Sequence, residues 1–288
     1  MRTAMPAWEP AEATAPDPDY AERLDRARAL LHGRRIVALT GAGVSTASGI
    51  PDYRSPGAPR RTPMTLQQFL GSAEFRRRYW ARNHLGWRQM DAALPNAAHR
   101  ALAALPGVAG VITQNVDLLH LKAGSRGVID LHGNYAQVRC LSCENRISRH
   151  RLHARLEPLN AGFVARIAGR GALEVAPDAD VVVEDTTDFT MVDCGRCGGI
   201  LKPDIVYFGE SVPKPRVARA FTMVGDADAL LVLGSSLTVM SGLRFVRHAH
   251  KRGTPIVIVN RGRTRGDDLA DVTVDVDVAT ALQHLAAP

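Results

Sequence analysis

Five residues, Ile36-Val37-Ala38-Leu39-Thr40, run apolar and β-branched, then give way to Gly41-Ala42-Gly43. No other feature constrains the fold as much. Such a run reads as a strand buried on both faces, and two closely spaced glycines read as a tight turn whose backbone N–H groups can face a phosphate. The turn departs from the ordinary dinucleotide fingerprint. Thr46 stands where GxGxxG requires its third glycine, and no acidic residue lies about twenty positions further on to hold a ribose hydroxyl. Instead a polar loop, broken by Pro51, ends in Asp52-Tyr53-Arg54.

Around this strand the pattern alternates. Asp19 and Glu22 make an N-terminal capping pair, Tyr20, Leu24, Ala27 and Leu31 recur at helical spacing, and Gly33 stops the run. Residues 65–93 are patterned as helix around Phe69, Tyr79, Trp80 and Trp87; Pro95-Asn96 breaks it, and residues 97–105 form another. Further strands are predicted at 108–113, 229–234, 255–260 and 272–276. Strands alternating with helices predict an α/β fold with a doubly wound, parallel, Rossmann-like sheet. Three strands end in Gly41, Gln114-Asn115 and Gly234-Ser235-Ser236, so these polar groups should meet in one crevice at the carboxyl edge. Residues 133–205 break the rhythm. The expected organisation is a disordered tail over 1–19, a dinucleotide-binding domain from 20–132 and 206–288 with a helical module at about 55–95, and an inserted small domain over 133–205.

All four cysteines lie in that insertion, as Cys140-x2-Cys143 and Cys194-x2-Cys197. Two such knuckles supply four thiolates to a tetrahedral zinc, which leaves no open position and makes the metal structural. Free cysteines, disulfides or a redox pair are the alternatives. The 288 residues carry a formal charge of +7 with only four lysines, and no arginine cluster alternates with aromatics as a nucleic-acid surface would. The charge favours acidic ligands such as a pyrophosphate. The acidic, Ala- and Pro-rich N-terminus lacks a signal core and no run is long enough to span a membrane, so a cytoplasmic monomer is expected.

Two polar segments carry chemistry. In Thr113-Gln114-Asn115-Val116-Asp117, Asn115 can bind a ribose or water and Asp117 can accept from a carboxamide, although either could instead cap a helix. His132, followed by Gly133, titrates in the range of a general base, although a lone histidine is usually structural.

In this order, Gly-Ala-Gly with Pro-Asp-Tyr-Arg, Gln-Asn-Val-Asp, His-Gly, two CxxC pairs, Gly-Ser-Ser and Asn-Arg-Gly, the motifs resemble the sirtuins over roughly residues 25–285. The resemblance implies an NAD-dependent protein lysine deacylase that releases nicotinamide and O-acyl-ADP-ribose, with acyl-lysine proteins as partners, NAD as co-substrate and one structural zinc. It assigns Gly41, Ala42, Gly43 and Ser45 to the pyrophosphate, and Asp52, Tyr53 and Arg54 to a loop over nicotinamide. Gln114 would hold a ribose hydroxyl, and Asn115 and Asp117 would form the nicotinamide pocket. Gly234, Ser235 and Ser236 would contact ribose and phosphate; Asn260, Arg261, Gly262 and Val278 would lie on the adenosine side. His132 would be the base. The peptide would lie extended between Phe208-Gly209 and the segment from Val239. The Leu201-Lys202-Pro203-Asp204 and Arg78-Tyr79-Trp80-Ala81-Arg82-Asn83 runs look like the class II, mitochondrial-type branch. Tyr79 and Arg82 share a helix face; they either receive a carboxylated or branched acyl group or serve, respectively, as core and solvated surface. Protein mono-ADP-ribosyl transfer and low-turnover NAD or ADP-ribose sensing are the competing functions.

Overall fold

The computed structural model describes residues 18–52, 64–168, 183 and 185–287. Tyr53, Arg54, residues 1–17 of the expected tail and residues 55–63 of the helical module lie outside the described residues.

The apolar run forms β1 (Ile36–Thr40), buried along its whole length. It is the third of six parallel strands, with β2 (Val108–Thr113) and β3 (Val128–Asp130) to one side and β7 (Ala229–Leu233), β8 (Ile256–Val259) and β9 (Val272–Val274) to the other. Alternate residues feed two cores. Ile36, Ala38, Leu231 and Leu233 join Leu24, Leu102 and Leu282 from α1 (Tyr20–Leu31), α4 (Ala97–Ala104) and α10 (Val278–Leu285). Val37, Leu39, Leu230 and Val232 join Val224, Phe245 and Val246 from α8 (Lys214–Gly225) and α9 (Met240–Lys251). With each large apolar side chain worth about 1.5–3 kcal/mol when buried, a strand covered on both faces admits no polar interruption, which is why β1 reads as a continuous run.

The helical stretch divides into α2 (Leu66–Gly71) and α3 (Ala73–Ala92), because the Ser72 side chain accepts from Phe75 N and caps α3. The expected cap at the other end of the chain is not made: Asp19 gives α1 no side-chain cap bond. Beyond the sheet edge, β4 (Gly133–Cys140) pairs antiparallel with β5 (Arg146–Ser148) and β6 (Leu201–Ile205), and α6 (Arg149–Leu156) and α7 (Ala161–Ala168) pack nearby. Phe69, Tyr79 and Trp80 of α2 and α3 share one core with Val138, Cys140, Leu152, Phe163 and Leu201 of this small sheet and its helices. Arg149 fastens the two: it is 1% exposed, donates Nε–H to Asn83 Oδ1 at 3.1 Å, and lies over the rings of Trp80 and Trp87. Among the described residues no helix is long and apolar enough to cross a membrane.

Chain order runs outward from β1 through β2 to β3, then restarts at β7 on the opposite side, so the order in which strands are added reverses between β1 and β7. There the two backbones interlock. Gly41 N–H donates to Leu233 O at 3.1 Å and Gly43 N–H to Gly234 O at 2.9 Å. Gly234 has φ +56, and a Cβ on it would stand 2.6 Å from Val44 N. Gly234→Ala should therefore cost at least about 2 kcal/mol from strain and the forced separation of the loops. Urea denaturation would read this as a lower midpoint; an unchanged midpoint would mean that the crossing is loose.

Candidate active site

The carboxyl ends of β1, β2, β3 and β7 meet at this reversal, where ligands bind in such sheets. Because the Gly41 and Gly43 amides are spent on β7, they are not the free phosphate donors that the glycine turn suggested. The polar side chains around them form a linked set. Ser45 Oγ–H donates to Asp117 Oδ2 at 2.6 Å, and Asn115 Nδ2–H donates to Ser45 Oγ and to Gly41 O, both at 3.0 Å. Asp117 Oδ1 also accepts Leu119 N–H at 2.9 Å, so the residue supports the start of α5 (Leu119–Lys122) while its carboxylate faces the glycine turn. Burial raises the Asp117 pKa, and the Ser45 hydroxyl and Leu119 amide pull it back. Leu118 holds φ 61 between these two functions, an uncommon conformation for a leucine.

Gln114 reaches across the crevice: its Nε2 donates to Ser235 Oγ at 2.7 Å, and a Cβ on Gly242 would stand 2.6 Å from its Oε1. Its backbone oxygen lies 2.8 Å from His132 Nδ1, while His132 Nε2 lies 2.8 Å from Ser241 Oγ. A carbonyl oxygen only accepts, so Nδ1 carries the hydrogen and Nε2 holds the lone pair of the neutral ring. Burial pushes the His132 pKa down, and Arg216 and Arg244 add to the fall; the Gln114 carbonyl opposes it. The ring therefore favours its neutral form, with Nε2 as the basic nitrogen.

Behind the glycine turn sits a pair of histidines that motif reading missed. Asn96 caps α4 through Oδ1 and donates Nδ2–H to Val44 O at 2.8 Å, which ties the helix to the turn. One turn in, His99 packs against His120 with ring centroids 4.8 Å apart; His120 Nε2 lies 2.8 Å from Thr40 Oγ1. Burial pushes the His99 pKa down to about 4 and that of His120 to about 3.

On the other side of His132 the chain is fixed by Val206 N–H donating to His132 O at 2.7 Å. The following loop closes around Lys202, which is fully buried. Its ammonium donates to Ile205 O, pairs with Glu210 Oε2 at 2.9 Å and lies 4.4 Å from the centre of the Tyr207 ring. Burial lowers the Lys202 pKa while Glu210 raises it; Glu210 also accepts Tyr207 N–H and Arg139 Nη2–H. This cluster holds the loop that exposes Phe208, which is 44% exposed, and Leu66 N–H donates to Phe208 O at 3.0 Å. Val239 and Met240, also exposed, precede Ser241 on the opposite side of His132. Tyr79 stacks edge-on to Phe69 and Tyr207, with centroids 5.7 and 5.4 Å away, in a core that Val116 also joins; Arg82, one turn on, is half-buried.

Toward β8, Asn260 donates Nδ2–H to Arg261 O and Gly262 O, and with Gly262, Arg263 and Arg23 it lines an open pocket. Arg261 pairs with Asp275 at 3.5 Å. Ser236 Oγ and Thr238 Oγ1 are 3.0 Å apart at the mouth between β7 and α9. Val278 is placed differently: it is 5% exposed within the core under α10.

The four cysteine sulfurs lie within 4.8 Å of one another, with Cys140–Cys197 at 3.5 Å and Cys143–Cys194 at 3.8 Å. A tetrahedron with Zn–S of about 2.3 Å has edges of about 3.8 Å, whereas a disulfide needs about 2.05 Å. The set fits one structural zinc.

A crevice at the sheet reversal, a histidine held there with one fixed tautomer and a separate four-thiolate site together define a nucleotide-handling α/β protein with a structural metal module. The Sir2 family model matches residues 41–241, and the chain belongs to the Sir2 family. It is 64% identical over 261 residues to NAD-dependent protein deacetylase 1 of Mycobacterium avium (strain 104), covering 90% of this chain and 93% of that protein. NAD-dependent protein deacetylase 1 of Streptomyces coelicolor is 53% identical over 256 residues, covering 87% and 85% respectively. Among solved structures, one described as Sir2-p53 peptide-NAD+ aligns with a TM-score of 0.72 at 32% identity, covering 91% of this chain and 96% of that one.

The buried histidines set an acid limit on the fold. His84, against His153, is pushed down to about 3 as His99 and His120 are to about 4 and 3. An unfolded chain takes up protons on these groups below about pH 6.5 and the folded chain does not, so their stabilisation is complete above that pH and is lost as pH falls toward 4 and 3. Each should remove up to about 1.4 kcal/mol per pH unit below about 6.5. Denaturation midpoints measured between pH 7.5 and 5 should fall steeply; a flat profile would mean that these rings are protonated in place.

Proposed function

We propose that the chain is an NAD-dependent protein lysine deacylase that releases nicotinamide and O-acyl-ADP-ribose. The observation that carries this reading is the fixed tautomer of His132: Nδ1–H is held by the Gln114 carbonyl, which leaves Nε2, beside Ser241 Oγ, as the basic nitrogen. The relatives named above are NAD-dependent protein deacetylases, and the neighbouring structure is described with a peptide and NAD+.

NAD supplies, when bound, a nicotinamide–ribose bond whose cleavage activates the sugar toward an acyl oxygen. The chain supplies positioning and a base. In this reading Gly41, Ala42, Gly43, Ser45, Gly234, Ser235 and Ser236 surround the phosphates, Gln114 meets a ribose hydroxyl, and Asn115 and Asp117 receive the carboxamide. His132 takes a hydroxyl proton at Nε2. Asp52, Tyr53 and Arg54 close over the nicotinamide. Asn260, Arg261 and Gly262 hold the adenosine side, with Val278 as core beneath it. Residues 20–132 and 206–288 form the nucleotide-binding body and residues 133–205 the zinc module, to which the helical module is packed. An acyl-lysine peptide adds as a strand between Phe208-Gly209 and Val239. Cys140, Cys143, Cys194 and Cys197 hold the zinc.

The acyl pocket lies beside Tyr79, and Arg82 on the same helix face gives it a preference for carboxylated or longer acyl groups over acetyl. What supports this is the Phe69–Tyr79–Tyr207 cluster, which links α3 to the loop carrying Phe208.

Mass spectrometry of products from NAD and a panel of acetyl-, succinyl-, glutaryl- and lipoyl-lysine peptides tests both levels. Wild type should yield O-acyl-ADP-ribose, and His132→Ala should lose 10²-fold or more of the rate, the usual worth of a positioned base being about 10²–10⁴. Arg82→Ala should lower turnover of the carboxylated peptides about tenfold or more relative to acetyl. An unchanged ratio would end the acyl-pocket reading alone. ADP-ribose found on protein, or NAD binding without turnover, would replace the deacylase reading with transfer or sensing.

A further inference from the structure

The lone pair of His132 already has a partner. Ser241 Oγ lies 2.8 Å from Nε2. Since Nδ1–H is committed to Gln114 O, the neutral ring can only accept at Nε2, so the Ser241 hydroxyl donates to it. When the ring holds a second proton the bond reverses: Nε2–H donates and Ser241 Oγ accepts, with no heavy atom displaced. A hydroxyl is the smallest side-chain group that can serve both states.

The rest of the site holds this hydroxyl still. Ser241 is 8% exposed and stands in the first turn of α9, where Gly242 N–H and Leu243 N–H donate to Val239 O at 3.1 and 3.3 Å. Leu243, Phe245 and Val246 of the same helix are buried in the core beneath the sheet. Gly242, next to Ser241, leaves the room that the Gln114 side chain occupies. One helix thus sets the spacing to both the base and the glutamine whose backbone orients it. The other charged groups facing His132 are cationic: Arg216 on α8, whose Nη1 donates to Leu131 O at 3.3 Å, and Arg244 on α9. Neither can accept a hydrogen bond from an imidazolium. Within the described residues, Ser241 Oγ is the side-chain acceptor that Nε2–H meets.

We propose that Ser241 is the positioning residue of His132: in the resting site its hydroxyl donates to Nε2 and holds the ring whose tautomer the Gln114 carbonyl sets. When a substrate hydroxyl brings its proton to Nε2 the Ser241 hydrogen turns away and frees the lone pair, and Ser241 Oγ then accepts from Nε2–H. The kinetic side of this rests on the deacylase reading; the tautomer and the titration do not.

The test joins both. In the substrate-free protein with isotopically labelled histidine, NMR should report His132 as the Nδ1–H tautomer. Hydrogen bonds to a charged group are the stronger, so Ser241→Ala takes more from the imidazolium than from the neutral ring and should lower the His132 pKa by about 0.5–1 unit, while the Gln114 carbonyl keeps the Nδ1–H tautomer. With NAD and an acetyl-lysine peptide, kcat should fall about tenfold, a fraction of what the base itself supplies, with both KM values within about twofold. Ser241→Thr, which keeps the hydroxyl, should restore the pKa and kcat. The proposal is overturned if Ser241→Ala leaves the pKa as in wild type, or if Ser241→Thr behaves like Ser241→Ala. A wild type that does not turn over but shows the expected NMR changes would support the role of Ser241 and remove the deacylase reading instead.

Discussion

Everything at the carboxyl edge of the sheet depends on two backbones approaching without side chains between them. The loop after β1 and the loop after β7 touch through Gly41, Gly43 and Gly234, and the hydrogen bonds made there consume the amides of the glycine turn. Two amides that a glycine turn could offer to a phosphate are spent on an interlock instead. What it gains is a fixed floor: Asn115 bonds to Gly41 O, Ser45 bonds to Asp117, and Gln114 reaches Ser235 across the seam. Side chains from three strand ends are thereby held in one arrangement before any ligand arrives, which is the condition for catalysis by positioning.

Much of this was legible in sequence because the physics is local. β1, β2, α1 and α4 are periodic, and Asn96 ends one helical stretch and caps the next. Other elements were hidden for identifiable reasons. The Lys214-Pro215 pair resembles a breaker, yet proline in the first helical turn gives up no hydrogen bond, and α8 begins there. β6 carries Pro203 and a lysine inside it, which composition would assign to a loop; it is a strand because Pro203 pairs opposite Val138 at an irregular point of the ladder and because Lys202 is neutralised by a glutamate later in sequence. The small sheet follows from pairings between segments on either side of the long cysteine insertion, and no periodicity encodes that.

The candidate site divides in the same way. Residues that carry motifs, such as Gln114, Asn115, Asp117 and His132, were identifiable by type and place at strand ends. Residues that act on those residues were not. Ser241 lies in a segment notable only as a peptide contact, and no motif marks His99 and His120, whose rings only folding brings together behind Thr40. Tertiary proximity alone gives these groups their chemistry. Tyr79 stands between the two cases: its spacing to Arg82 is visible in sequence, whereas the Tyr207 ring beside it is not.

The ladder between β4 and β6 has a consequence of a different kind. It is paired at one end through Cys140 with Leu201 and at the other through Gly133 with Ile205, the residues that adjoin the thiolate cluster and His132 respectively. The two strands are a splint with a metal clasp at one tip and the imidazole at the other. A zinc held by the four thiolates would therefore steady His132 through the ladder, an ion reaching the crevice by way of a splint and not by contact.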